Sequence, residues 1–414
     1  MKRSVYNRLF SVFFILLICG AGCNKFVEVG PPAHLITSEN TFNNDATAIA
    51  VMSGLYSEMM SSPTFYSSTY ASLLPALSAD EFYHYQVTQF EEFGLNELSL
   101  ASHGTIEQGF WTPLYNHIYT CNLVIENTAK QNLLSPKVKD MLAGEARFVR
   151  AFAYFELVNL FGDVPLILET NFRKSAAAPR TSVALVYEQI VKDLQEAYRL
   201  LPEFAPGVEV VRPGKWTSIA LLSRVHLYRQ DYEKSNEYAT DIIESDKFSL
   251  AGNLDDVFLH TSTEAIWQLK PVSPSFNTWE AFVVVPTTSA TTPGFLLTDE
   301  LLSRFEVGDY RFTHWTQSRD WNGDSLYYPY KYKVALAGSP LTEYYTVLRL
   351  AEQYLIRAEA RAKLNDLTGA ISDLNTIRNR AGLVNAIAVS QEDILNAIAE
   401  ERRTELFGEW GHRW

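Results

Sequence analysis

Residues 347–383 read VLRLAEQYLIRAEARAKLNDLTGAISDLNTIRNRAGL, and the spacing within them decides the fold. Leu348, Ala351, Leu355, Ala358 and Ala362 recur at three- and four-residue steps; Asn365-Asp366 interrupts the run, and Ala370, Leu374 and Ile377 resume it. That is the pattern of a helical hairpin. A second copy lies upstream, where residues 216–229 carry Ala220, Leu221, Val225 and Leu227, Gln230-Asp231-Tyr232 makes a turn, and residues 238–243 begin the return helix. Placing Asp231 on Asp366 puts Gln230 on Asn365 and Ser235 on Ala370, so small residues fall where paired helices approach most closely. The spacing is that of tetratricopeptide-like units.

The chain continues from this hairpin into Glu400-Glu401-Arg402-Arg403, then Glu405-Leu406-Phe407 and Glu409-Trp410-Gly411-His412-Arg413-Trp414. This string resembles the closing motif of the SusD/RagB family, the surface nutrient-binding lipoproteins of Bacteroidetes. Residues 145–155, running on to Phe161-Gly162-Asp163-Val164-Pro165-Leu166, look like the same family's N-terminal signature, and residues 329–333 and 375–383 resemble two further landmarks. The resemblance implies a lipid-anchored protein of the outer membrane that faces the outside. It implies that the protein binds oligosaccharides or related nutrients, passes them to a SusC-like TonB-dependent transporter, and has no catalysis and no cofactor of its own. It also implies that relatives continue past the equivalent of His412-Arg413-Trp414. The chain is therefore expected to be truncated, with Trp410 and Trp414 lacking packing partners.

The N-terminus agrees with export. Lys2, Arg3 and Arg8 precede an apolar run over residues 9–18 that is too short to span a bilayer, so residues 1–22 read as a secretory signal. Gly20-Ala21-Gly22 sets small residues before Cys23, as in bacterial lipoprotein signals, which makes Cys23 the expected site of acylation with palmitate and residues 23–40 a lipidated tether. With Cys19 in the signal and Cys23 acylated, Cys121 is left alone and no intramolecular disulfide is available. A chain this long, with 47% hydrophobic residues, can instead be held by its core. Its 35 basic and 48 acidic side chains give a net charge of −13, and loss of Lys2, Arg3 and Arg8 leaves 32 against 48, or −16. A nucleic-acid partner would need a basic face, so this balance argues against one.

The reading is therefore a mostly α protein: residues 41–414 form one SusD-like domain, with a helical-hairpin scaffold over about 41–245 and 348–414. Helices are expected at about 105–130, 137–161, 182–201, 215–229, 232–245, 348–364, 367–381 and 391–408, after an earlier one carrying Ala48, Val51, Leu55 and Met59. Pro136 and Pro213 mark helix starts, and Ser390 with Asp393 forms an acidic capping box. Between about 246 and 347 the helical period disappears. Pro271, Pro274, Pro286 and Pro293 make a loop-rich insertion, and residues 319–324 look like the turn of a small β-hairpin with arms over 311–319 and 325–334. A second irregular segment is expected at 61–102. Binding residues concentrate on loops held by a rigid scaffold, so these two segments are the candidates.

No phosphate loop, metal-binding helix, cysteine pair or nucleophile elbow is present in the sequence, and metal ligands are not assigned. Asp80-Glu81 could supply the two carboxylates of a glycosidase, but adjacent side chains normally diverge. Glu400, Glu401, Arg402, Arg403 and Glu405 read as an ion-paired network pinning the last helix. Aromatic side chains are the better lead, because a ring can cover the apolar face of a sugar while polar groups hold its hydroxyls. The candidate ligand-binding residues are Trp279, Trp321, Tyr83, Tyr85, Phe276 and Trp315, with Trp279 and Trp321 foremost; Phe282, Phe90, Tyr327 and Tyr328 lie near them. Trp216, Tyr154, Phe155, Tyr354 and Tyr228 fall on helical stripes and read as core. Other readings are peptide cargo, a helical interaction scaffold without a ligand, and an all-helical glycosidase.

Overall fold

In a computed structural model, which describes residues 41–414 except 87, 89, 131, 132, 204–209, 274 and 289, both sequence hairpins form as expected. The expected signal, Cys23 and the tether lie outside the described residues. Twelve helices are used below: α1 (Asp45–Met59), α2 (Ala71–Ser78), α3 (Thr112–Lys130), α4 (Pro136–Phe161), α5 (Val183–Leu200), α6 (Lys215–Tyr228), α7 (Tyr232–Ile243), α8 (Trp279–Val284), α9 (Tyr310–Trp315), α10 (Leu350–Lys363), α11 (Leu367–Arg380) and α12 (Gln391–Leu406). None of the described helices is long and apolar enough to cross a membrane.

The two hairpin turns are built alike. Gln230 and Asn365 both take left-handed φ values, 59° and 66°. Asp231 and Asp366 then cap the return helices, accepting from the backbone N–H of Lys234 and Gly369. Ser235 and Ala370 are fully buried, and α7 packs against α10, so the α6–α7 and α10–α11 pairs stack side by side. The capping box at Ser390 and Asp393 is present, and Pro136 occupies the first turn of α4. Pro213 lies just outside α6, whose N-cap is Gly214.

Short antiparallel strand pairs decorate this scaffold. β1 (Phe82–His84) pairs with β3 (Phe295–Leu297), β2 (Ala265–Leu269) with β6 (Tyr345–Arg349), and β4 (Thr316–Trp321) with β5 (Asp324–Pro329). The last pair is the expected hairpin. Asn322 and Gly323 have φ of 55° and 97°, the two left-handed residues that a tight hairpin turn requires. Its first arm is shorter than expected, because residues 310–315 are helical: Asp309 caps α9 by accepting from the backbone N–H of Arg311. The segment 61–102 is also more ordered than expected. It contains a π-helical turn, Tyr66–Tyr70, followed by α2, whose Ala71, Leu73, Leu74, Ala76 and Leu77 are all buried. A helix apolar on every side shows no amphipathic period to read.

The core is aromatic where scaffold and strands meet. Trp267 lies edge-on to Phe148 and Phe152 at 5.0 and 5.3 Å. Tyr154 and Phe155 are buried as helical stripes predict, whereas Trp216 and Tyr354 are only half-buried against the core and Tyr228, at the end of α6, is 40% exposed. Trp410 departs from its expectation: it is buried between Phe152 and Tyr345, and its indole N–H donates to the Thr346 carbonyl at 2.8 Å. Trp414 is 57% exposed.

The last helix is pinned by ion pairs, chiefly those of its glutamates. Arg349 reaches Glu405 at 2.6 Å and Glu409 at 2.7 Å, Arg311 reaches Glu401 at 2.6 Å, and Lys331 reaches Glu409 at 2.5 Å. Arg380 bridges Glu405 and Glu264, while Asp309 and Arg378 complete the set. Five cations thus meet five carboxylates in the interior. Burial alone would raise the Glu405 pKa, but Arg380, Arg349 and Arg311 outweigh it and hold the carboxyl far below its usual range. Arg403 instead pairs with Glu300. The reason is helical geometry: Glu401 and Glu405 point inward at a four-residue step, toward cations carried by α9, α11, β6 and the segment after β5.

Candidate functional site

Two aromatic groups stand on the loop-rich segments. In the first, Phe276 and α8 bring Phe276, Trp279 and Phe282 together, with ring centroids 5.1, 4.2 and 5.7 Å apart. Thr278 caps α8 by accepting from the N–H of Ala281, which turns Trp279 and Phe282 to one side and Glu280 and Ala281 inward. The Trp279 indole N–H donates to the Met60 carbonyl at 2.7 Å, fixing the ring half-buried, whereas Phe282 is 43% exposed.

The second group is carried by β1, where Tyr83 is 43% exposed and Tyr85, just beyond the strand, is half-buried and donates its backbone N–H to Gly294. β3 lies between β1 and β5, so the hairpin adjoins this edge. Burial, and then the charges of Asp299 and Asp324, raise the Tyr83 hydroxyl pKa. Trp321, the last residue of β4, is half-buried beside the exposed Asn322-Gly323 turn. Arg319 latches the hairpin to the Pro/Thr-rich loop by donating to the carbonyls of Thr288, at 2.6 Å, and Thr291. Segment 285–297 therefore links the two aromatic groups.

Trp315 does not join them. It is fully buried, its indole N–H donates to the Leu254 carbonyl at 3.1 Å, and Lys331, Arg349 and Arg380 lie over its ring at 4.8, 5.7 and 5.8 Å. Its neighbourhood in sequence suggested a surface loop; its place at the end of α9 puts it under the ion-pair network. Phe90 packs with His84 and Phe295, and Tyr328 is buried, so both serve the body of the protein. Asp80 and Glu81 diverge as adjacent residues should. Asp80 is exposed at φ 59°, while Glu81 is buried, accepts the N–H of Gly408 at 3.2 Å, and is pushed up to about 7 by that burial.

One cavity carries mixed chemistry that the sequence reading passed over. It measures about 770 Å³ and is lined by Trp111, Phe161, Arg180, His103 and Glu107, with Leu98 and Leu100 at its edge. Trp111 immediately precedes α3, and the approach of Arg180, 5.9 Å over its ring, marks it out.

Comparison with known proteins gives consistent matches over most of the chain. The profile of a family described as starch-binding and associating with the outer membrane matches residues 25–227, and that of the SusD family matches residues 286–414. A SusD-like protein of Formosa agariphila is 24% identical, over 97% of this chain and 88% of its own length. Among solved structures, a SusD-like protein from Bacteroides fragilis superposes with a TM-score of 0.77 at 22% identity, covering 93% of this chain and 88% of the other. A SusD-like carbohydrate binding protein from Bacteroides vulgatus gives 0.74 at 23% identity, covering 88% and 81%. On these matches, which span both hairpins and the strands between them, the chain belongs to the SusD/RagB family.

Proposed function

We propose that this protein is a lipid-anchored binding protein on the outer face of the outer membrane, which holds oligosaccharides on its loop-rich face and hands them to a SusC-like TonB-dependent transporter. Hydrolysis is left to other proteins. The observation that carries this reading is the Phe276, Trp279 and Phe282 group, rings partly open to solvent and fixed by a capped helix and by the bond from Trp279 to Met60. Aromatic surface held rigid and left partly open to solvent is suited to sugar faces. The family's description, starch binding in association with the outer membrane, supports both cargo class and location.

Titration of the folded domain with a panel of oligosaccharides, followed by tryptophan fluorescence, tests the cargo. At about 0.5–1.5 kcal/mol per ring contact, Phe282→Ala should weaken binding roughly two- to tenfold. Phe282 is exposed, so the variant keeps the fold. Binding by no member of the panel, or equal binding by Phe282→Ala and Trp279→Ala, refutes the glycan reading. Labelled palmitate should enter the wild type and be absent from Cys23→Ala; equal labelling refutes the anchor. Co-purification with a transporter from native membranes tests the delivery step.

A further inference from the structure

Between α10, α12 and residues 411–413, Lys363, Arg402, Arg403, His412 and Arg413 converge with a single carboxylate, Glu359, on a cavity of about 260 Å³. Leu395, Ile398 and Ala399 form its apolar wall. Two guanidinium nitrogens here are buried without an acceptor among the described residues: Nη1 of Arg402 and Nε of Arg403. The Arg403 side chain is only 3% exposed and uses Nη1 on Glu300 at 3.0 Å. Arg402 has neither an ion pair nor a hydrogen bond among the described residues. Elsewhere in the scaffold, buried arginines carry ion pairs: Arg150 with Asp193, Arg224 with Glu352, Arg357 with Asp373, and Arg380, whose Nε also lacks an acceptor among the described residues, with Glu405 and Glu264.

An unmatched buried donor is unfavourable, and more so when it belongs to a charged group. A positive field gathers here in a chain whose net charge is −13. His412 reports it: burial, then the charges of Arg224 and Arg402, drive its imidazole well below the usual histidine range. The guanidinium fork matches an oxyanion in shape and charge, and would be satisfied by accepting oxygens on one small group. We propose that this cavity binds a small oxyanion, a carboxylate, sulfate or phosphate group, through Arg402 and Arg403, with the exposed Lys363 and Arg413 adding charge at its mouth. The proposal does not rest on the glycan reading.

The test is calorimetric titration of the full chain with inorganic sulfate, inorganic phosphate and glucuronate, at constant ionic strength. Arg402→Gln is the site variant and Lys137→Gln, exposed at the start of α4, the control. Saturable binding of at least one anion is expected, weakened at least tenfold by Arg402→Gln and unchanged by Lys137→Gln. Preference among the three separates a free inorganic ion from an acidic sugar as the source. Without ligand, Arg402→Gln should be at least as stable as the wild type, because it removes an unmatched charge, so loss of binding cannot be put down to unfolding. The anion should also raise the His412 pKa, read by NMR in the wild type. No saturable binding by any of the three, or equal weakening in both variants, overturns the site.

Discussion

Replacing Glu280 by Gln should remove a pH-dependent weakness from the helix that carries the exposed rings. Glu280 is on the inner face of α8, and its Oε2 has no partner among the described residues. Burial pushes its carboxyl up to about 8; Lys331 and the Tyr345 hydroxyl oppose the shift, while Glu409 and Glu343 reinforce it. The folded pKa is above the unfolded one, so the folded state holds a proton that the unfolded chain releases. This stability is complete below the unfolded value and is lost as pH rises through the folded one. From an ordinary glutamate value of 4.5 the shift is several units. At 1.36 kcal/mol per unit, wild type should lose about 3 kcal/mol relative to Glu280→Gln between about pH 5 and about pH 8. Water entering around the ionised carboxylate would lower that figure. Glu81 and Glu156, both raised to about 7 mainly by burial, titrate in both proteins and cancel in the difference. Urea unfolding of the two proteins at both pH values measures it. Stability curves that run parallel across this range would refute the assignment of a buried, largely unmatched carboxyl.

Two further substitutions probe the scaffold. Glu405→Gln leaves Arg311, Arg349 and Arg380 short of a shared buried carboxylate, and should cost about 3–5 kcal/mol in urea unfolding. Gly408→Ala places a methyl group 2.7 Å from the buried Phe82 ring at a left-handed φ of 64°, and should cost about 2–4 kcal/mol by the same measurement, with no change in palmitate labelling.

The helices were legible because their causes are local. Asp231 and Asp366 cap, Gln230 and Asn365 turn, and Ser235 and Ala370 allow close approach, all within a few residues of one another. The Asn322-Gly323 turn was legible for the same reason. Where local signals were absent or misleading, the reading strayed. α2 is buried on every side and shows no stripe, and the cap at Asp309 turned an expected strand arm into α9. Trp321 and Trp279 are half-buried at the ends of β4 and α8, but nothing near them in sequence distinguishes them from Trp315, which is sealed inside.

By itself, then, the sequence determined the helical-hairpin scaffold and the family, since periodicity, capping and motif spacing act over short stretches of chain. Only the tertiary structure decided which aromatic rings remain open and how the charges pair. Arg349 finds Glu405 and Glu409 across 56 and 60 residues, and Trp279 finds Met60 across 219. Burial and ion pairing depend on which surfaces the packed helices bring together, and separation along the chain carries no record of that.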